Sequence, residues 1–331
     1  MVNGTMRSDQ ILAGDRSARG GFTILELLVC VFVVSVLMSL LLPAVQSARG
    51  ASRRLTCANN LKQLSLSAHI YDSDWRTFPF GSTEEPEFTS VALLMNAGEP
   101  ALTDVESAIQ AMGTGRTISV AVCPADSDAS GPTFSYTVSM GVYWDGSRFP
   151  GNGLVLVTTD LFEHRHPIAL KDVTDGQSQT VMLSERLIPR QVRAGERFIS
   201  GSEKLRYAWY RAGGSPVIID SYVEPEYVAE CVGNTVDSFP QQINENLWGS
   251  YLEGHSHLLP PNVPSCSTKV LPDDAEAGSF LSNAAVGVSS LHSGGVNVAL
   301  VDGSVRFIIN EVDLSVWSAL GTRNRGDLAA F

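Results

Sequence analysis

GGFTILELLVCVFVVSVLMSLLLP, residues 20 to 43, is the stretch from which the rest of the chain can be read. A short polar leader ends at Gly20-Gly21. The 21 residues that follow, Phe22 to Leu42, hold one charge, Glu26. At ~1.5 Å of helical rise per residue, such a run covers ~30 Å, the hydrocarbon core of one bilayer. A carboxylate near its start is costly in lipid and calls for a partner. Two plainer readings stay open. An ordinary secretory signal has a shorter apolar region of ~7–15 residues, although Val45-Gln46-Ser47 before Ala48 forms a weak signal-peptidase site. A simple single-span anchor has no use for Glu26.

Beyond Pro43 the pattern stays helical to about Asp74. Leu55, Ala58, Leu61, Leu64, Ala68 and Tyr71 recur at three- and four-residue steps, which predicts one apolar stripe. A helix over 22–74 would be ~80 Å long. Its first half suits lipid or copies of itself, and its second half needs a globular head to cover the stripe. The expected fold class is therefore α+β, a long N-terminal helix packed on a mostly β head.

The chain has 331 residues, enough for an anchor and one sizeable domain or two small ones. Six of its 23 basic and three of its 35 acidic residues lie in 1–54, so the remainder carries a charge of −15. Such a head suits export or divalent cations and is a poor partner for nucleic acid. Arg7, Arg16 and Arg19 in the leader balance Arg49, Arg53 and Arg54 beyond the apolar run, so the positive-inside rule has no preference.

Further elements are expected along the head. Residues 88–97 and 103–112 read as short helices, the second with Thr103 and Glu106 spaced as a capping box. Ile118 to Val122 and Thr133 to Tyr143 read as strands. Asp175-Gly176 forms a turn before a strand ending near Glu185. Residues 200–280, with Pro260-Pro261, read mainly as loops. Near the C-terminus, Asp302-Gly303 separates two β-rich runs, which predicts a hairpin over 292–309 with a type I′ turn.

Five cysteines are present. Cys30, in the apolar run, reads as a small inert side chain. Cys57, Cys123, Cys231 and Cys266 allow three disulfide pairings. Proximity in sequence favours Cys231–Cys266. Four free thiols remain an alternative, and zinc is less expected because no C-x2-C pair occurs.

The segments GFTILELL, RRLTCANNLKQLSLSAHIYDSD, FPFG, VCPADSD, VTDGQSQTVMLSE and LHSGGVNVALVDGSVRFI, with nine residues between His292 and Asp302, resemble one group. It is the large bacterial family of type IV pilin- and type II secretion pseudopilin-like proteins whose C-terminal part is called domain of unknown function "fifteen fifty-nine". The resemblance implies a leader, 1–21, removed by a prepilin peptidase between Gly21 and Phe22, with methylation of the new amine. It implies that 22–42 serves as membrane anchor and filament core, that 43–74 continues the helix, and that 75–331 is the head. Glu26 would pair with the Phe22 amine of a neighbouring subunit, and Pro43 falls where many pilins carry a helix-kinking proline. The resemblance also implies a Cys57–Cys123 disulfide. It places the protein in the inner membrane, single-pass, with the head outside the cytoplasm. Departures from the family pattern stand at Ala125, Gln179 and Ser293.

Chemistry is sparsely signalled. His292 and Asp302 offer a metal or acid–base pair, set against a structural reading in which Asp302 caps its own turn and His292 bonds within its loop. Glu185 is expected to pair with Arg186 or Arg306 or to face a subunit interface. His164 and His166, like His255 and His257, are spaced to share a strand face, but their polar surroundings predict solvated rings. Asp126, Asp128, Asp273 and Asp274 are loop oxygens for calcium, though no EF-hand pattern is present. Neither G-x-S-x-G nor H-E-x-x-H occurs.

The expected function is thus a structural subunit without enzymatic activity or resident cofactor. Its partners would be the peptidase, other pilin or pseudopilin subunits and their assembly platform. The alternative is a displayed binding module for a polymer or secreted protein, with Trp144, Trp209, Tyr210 and Trp248 as platforms.

Overall fold

The computed structural model describes residues 23–78, 119–126, 134–142, 152–154, 168–188, 201–210, 218–219, 222–223, 240–242, 254–267 and 284–326. They fall into two compact units that part between Arg49 and Gly50. The expected short helices at 88–97 and 103–112 lie outside these residues.

Helix α1 runs from Ile24 to Trp75. Thr23 starts it. Its hydroxyl accepts from the Glu26 amide at 3.2 Å, while Glu26 Oε2 accepts from the Thr23 amide at 2.8 Å and from its hydroxyl at 2.9 Å. This reciprocal capping box satisfies donors that a helix start otherwise leaves bare. The helix continues through Pro43, whose ring nitrogen has no hydrogen for the carbonyl of Ser39. In the first unit the apolar side chains are all exposed, from Leu25 at 71% to Leu42 at 64%. This segment is long and apolar enough to cross a membrane. The helix closes after Trp75, where Arg76 takes φ of 58° and its amide bonds the carbonyl of Asp72 at 2.8 Å.

The second unit is built on strands β1 (Tyr136–Gly141), β2 (Val181–Glu185), β3 (Tyr207–Tyr210), β4 (Ile218–Ile219), β5 (Tyr222–Val223), β6 (Pro240–Gln242), β7 (Gly254–Ser256), β8 (Ser265–Ser267), β9 (Ala284–Ala285), β10 (Gly295–Leu300) and β11 (Val305–Ile309). A five-stranded mixed sheet has the order β11-β10-β2-β1-β7, with β1 and β7 parallel and the other pairs antiparallel. A four-stranded sheet, β6-β3-β8-β9, and the pair β4-β5 lie, apart from β9, in the region expected to be loops. Strands of two to four residues are too short to show a period there.

The five-stranded sheet is covered on both faces. Cys57, Leu61, Leu64 and Ala68 of α1 pack with Val138, Leu183, Ala299 and Val301. On the other face Trp317, Ala319 and Leu320 of helix α2 (Leu314–Gly321) pack with Val181, Val296, Val298, Leu300 and Ile308. Double cover explains why β1, β2 and β10 are buried at every position rather than alternately. The fold class is α+β, as expected. The stripe on α1 is rotated from the expected one. Leu55 is 64% exposed, and Cys57 and Asn60 are buried instead.

Two local expectations are corrected. Residues 119–121 form a 3-10 turn rather than a strand. The 302–303 turn is also different, because only Gly303, at φ of 78°, has a positive value there. The register pairs Ala299 with Val305, and the Leu300 amide donates to the Ser304 carbonyl oxygen at 2.8 Å, which leaves a three-residue loop, 301–303. The Gly303 amide bonds the carbonyl of Leu300 at 2.9 Å, as in a type I turn closed by a glycine bulge. The cause is remote. The Val301 amide bonds Thr180 at 2.9 Å and its side chain enters the core, so Val301 cannot pair with Ser304.

Candidate functional site

Four of the motif segments meet at one buried point. Cys57 comes from the helix, Cys123 from the turn that follows 119–121, Glu185 from the end of β2, and His292 from the loop before β10. Cys57 and Cys123 form a disulfide, with Cα atoms 5.0 Å apart. His292 Nε2 lies 3.5 Å from Cys123 Sγ and 3.2 Å from Glu185 Oε1. The ligand-type atoms of all four residues lie within 4.8 Å of one another, and all four are buried.

Glu185 is held from the next strand. Its Oε2 accepts from the Asn297 amide and its Oε1 from Asn297 Nδ2, both at 2.8 Å. The His292 amide donates to Ser290 Oγ at 3.1 Å. Glu185 therefore pairs with His292 and Asn297. The β2–β10 pairing sets Ser184 against Val298 and so brings Glu185 beside Asn297, a juxtaposition that local sequence does not report.

Beside this cluster is a cavity of about 10 Å³, lined in part by Cys123, Asp126, Glu185, Arg186 and Leu291, room for about one water. Asp126 borders it but is not open to a cation. Its carboxylate meets Arg206 twice, Oδ1 to Nη2 at 2.8 Å and Oδ2 to Nη1 at 3.0 Å, and also accepts from the Ile188 amide at 2.9 Å. Asp128, Asp273 and Asp274 lie outside the described residues. Asp126→Ala would leave Arg206 buried without its carboxylate. We expect a loss of about 3–5 kcal/mol in chemical unfolding of the full chain.

Asp302 is separated from His292 by the length of β10, roughly 20 Å, so the two form no joint site. Asp302 Oδ1 accepts from the Ser304 amide at 2.8 Å and its hydroxyl at 2.6 Å, as in a self-capped turn. Gly303 lies against the helix, where Lys62 Nζ donates to its carbonyl oxygen. Arg54 lies over the Phe307 ring, 4.5 Å from its centre.

The histidines at 255 and 257 correct another expectation. Both are 0% exposed, with Nε2 atoms 3.1 Å apart. His257 Nδ1 lies 2.9 Å from the carbonyl oxygen of Trp317, to which it donates. That fixes His257 Nε2 as the acceptor and His255 Nε2–H as the donor, so both rings are neutral. Burial pushes His255 well below the usual imidazole range, helped by His257 and Arg186 and opposed by the backbone at Thr137 and Val138. Burial lowers His257 to about 3, opposed by the Trp317 carbonyl. The ring is packed so closely that a Cβ at Gly321 would lie 2.4 Å from His257 Cγ.

Gly21, Phe22, Cys231, His164 and His166 lie outside the described residues, as do Trp144 and Trp248. For Cys266, Trp209 and Tyr210 only the backbone is described. Cys30 is a free, exposed thiol.

A family model described as "Prokaryotic N-terminal methylation motif" matches residues 16–42. A second, described as "Protein of unknown function (DUF1559)", matches residues 46–315. Neither a curated protein nor a solved structure matches the chain.

Proposed function

The chain belongs to the family described as "Protein of unknown function (DUF1559)", and from that premise we propose that it is a pilin-like structural subunit able to assemble into a type II secretion or type IV pilus-like filament. The observation that carries this reading is a prepilin-type methylation motif over 16–42 that runs into one unbroken helix. The apolar side chains of that helix are exposed before Arg49, and from Cys57 to Ala68 one face of it packs on a sheet.

In this reading prepilin peptidase removes residues 1–21 and the Phe22 amine is methylated. Residues 22–42 hold the chain in the inner membrane, with the 43–74 continuation and the 75–331 head outside the cytoplasm. Assembly exchanges lipid contacts of the apolar helix for contacts with neighbouring subunits, so the exposed face costs little in either setting. The Glu26 carboxylate and the Phe22 amine of a neighbour neutralise each other where lipid disfavours both. The assembly platform supplies the work.

The test is the intact mass of protein extracted from its native membrane. A chain starting at Phe22 with one added methyl group is expected. A full-length mass, or one starting near Ala48, would overturn the reading. Glu26 also closes the capping box, so removing it outright mixes two effects. Glu26→Gln keeps a box-forming side chain and deletes only the charge. Cleavage of this variant should stay normal while filament yield falls by roughly tenfold or more, as one buried charge pair is lost. Normal yield would remove the pairing role.

A further inference from the structure

We propose that Cys57, Cys123, Glu185 and His292 form a buried site for one zinc-class divalent cation whenever the Cys57–Cys123 bond is reduced, so that disulfide and metal are alternative closures of one joint. Two thiolates, an imidazole and a carboxylate make a four-donor set of the kind that holds zinc.

The geometry is near that of a tetrahedral ion. With metal–sulfur bonds of about 2.3 Å and metal–nitrogen or –oxygen bonds of about 2.0–2.1 Å, neighbouring donor atoms stand roughly 3.3–3.8 Å apart. Here the imidazole–carboxylate and imidazole–sulfur separations are already 3.2 and 3.5 Å. The other donor pairs lie within 4.8 Å and close by about 1 Å at most, while the two sulfurs, once reduced, must separate to roughly 3.8 Å. Cys57 is fixed within the helix and Cys123 lies outside regular structure after a single 3-10 turn, so the separation falls on the Cys123 side. The supporting contacts are in place, since Asn297 fixes both oxygens of Glu185 and Ser290 holds the backbone of His292. The cavity bounded by Cys123, Glu185 and the 38% exposed Leu291 leaves unfilled space beside the donors.

The step balances. An external dithiol gives two electrons and two protons to the protein disulfide by exchange, leaving two protein thiols and an oxidised dithiol. The incoming cation displaces both thiol protons to solvent. His292 moves its ring proton to Nδ1 so that Nε2 can bind the metal.

The experiment uses the full chain in detergent with Cys30, Cys231 and Cys266 replaced by serine, which leaves two thiols. The chain is reduced with a metal-free phosphine under nitrogen and titrated with Co2+. The expected result is one Co2+ per chain with a thiolate-to-cobalt charge-transfer band and tetrahedral ligand-field bands, both erased by Zn2+. The oxidised chain should show neither band. His292→Ala and Glu185→Gln should each weaken binding by roughly tenfold or more. A reduced chain that stays folded by circular dichroism but shows no thiolate band overturns the proposal. If reduction unfolds the chain, Zn2+ should restore the folded spectrum. Failure to do so overturns it equally.

Discussion

Acidification from pH 6.5 toward 3 is expected to unfold the head steeply, and the buried pair His255 and His257 is the cause. The folded-state values of both rings are depressed, His257 to about 3 and His255 well below 6.5. Their contribution is complete above the unfolded value of 6.5. It is lost as pH falls through the window, because only the unfolded chain takes up protons there. Each ring adds a slope of about 1.4 kcal/mol per pH unit. His257 alone, between 6.5 and about 3, removes about 5 kcal/mol and His255 adds to it, a loss comparable with the stability of an ordinary domain, about 5–15 kcal/mol. A proton added to the pair would be a charge buried between β1 and α2 and beside Arg186. Urea unfolding at a series of pH values measures the slope. His257→Phe keeps a ring against Trp317 and should flatten the slope by about half. An unchanged slope would assign acid lability to other groups.

Loss of the Cys57–Cys123 bond is expected to cost about 4 kcal/mol. The bond joins residues 66 apart in sequence, and closing a loop of that length removes about this much denatured-state freedom. Cys57→Ser and Cys123→Ser should be destabilised alike, and the double variant no more than either single one, because all three delete the same bond. Chemical unfolding of the oxidised chain and the three variants provides the measurement. A double variant twice as unstable as the singles would mean that each thiol site contributes by packing instead.

Local chemistry made the helix legible. A long apolar run, Glu26 and the 61-64-68 spacing are short-range signals, and the helix is where they put it. The strand ending at Glu185 was legible for the same reason, with Gly176 at φ of 105° in the turn before it. The hairpin was found but its register was not, because Asp302-Gly303 was read without Thr180, which claims the amide of Val301 from the turn before β2. His255 and His257 read as solvated because glycine and serine surround them. Their burial comes from β1 and α2, distant in sequence. The pairing of Glu185 with His292 was missed for the same reason. Its one sequence trace was that Cys57, Cys123, Glu185 and His292 each stand in a segment already singled out for the family resemblance, although nothing local says those segments share a site.

The cross-link between helix and turn also defines a load path. Tension drawn along the N-terminal helix enters the second unit at Gly50 and reaches Cys57 within two helical turns. From there a covalent bond carries it directly to Cys123. The intervening chain, with a contour of roughly 200 Å for its 66 residues of separation, is shunted out and cannot be paid out as slack. The oxidised protein is therefore a stiff coupling between its helix and its sheet, and the reduced, unclamped protein holds a hidden reserve of extension.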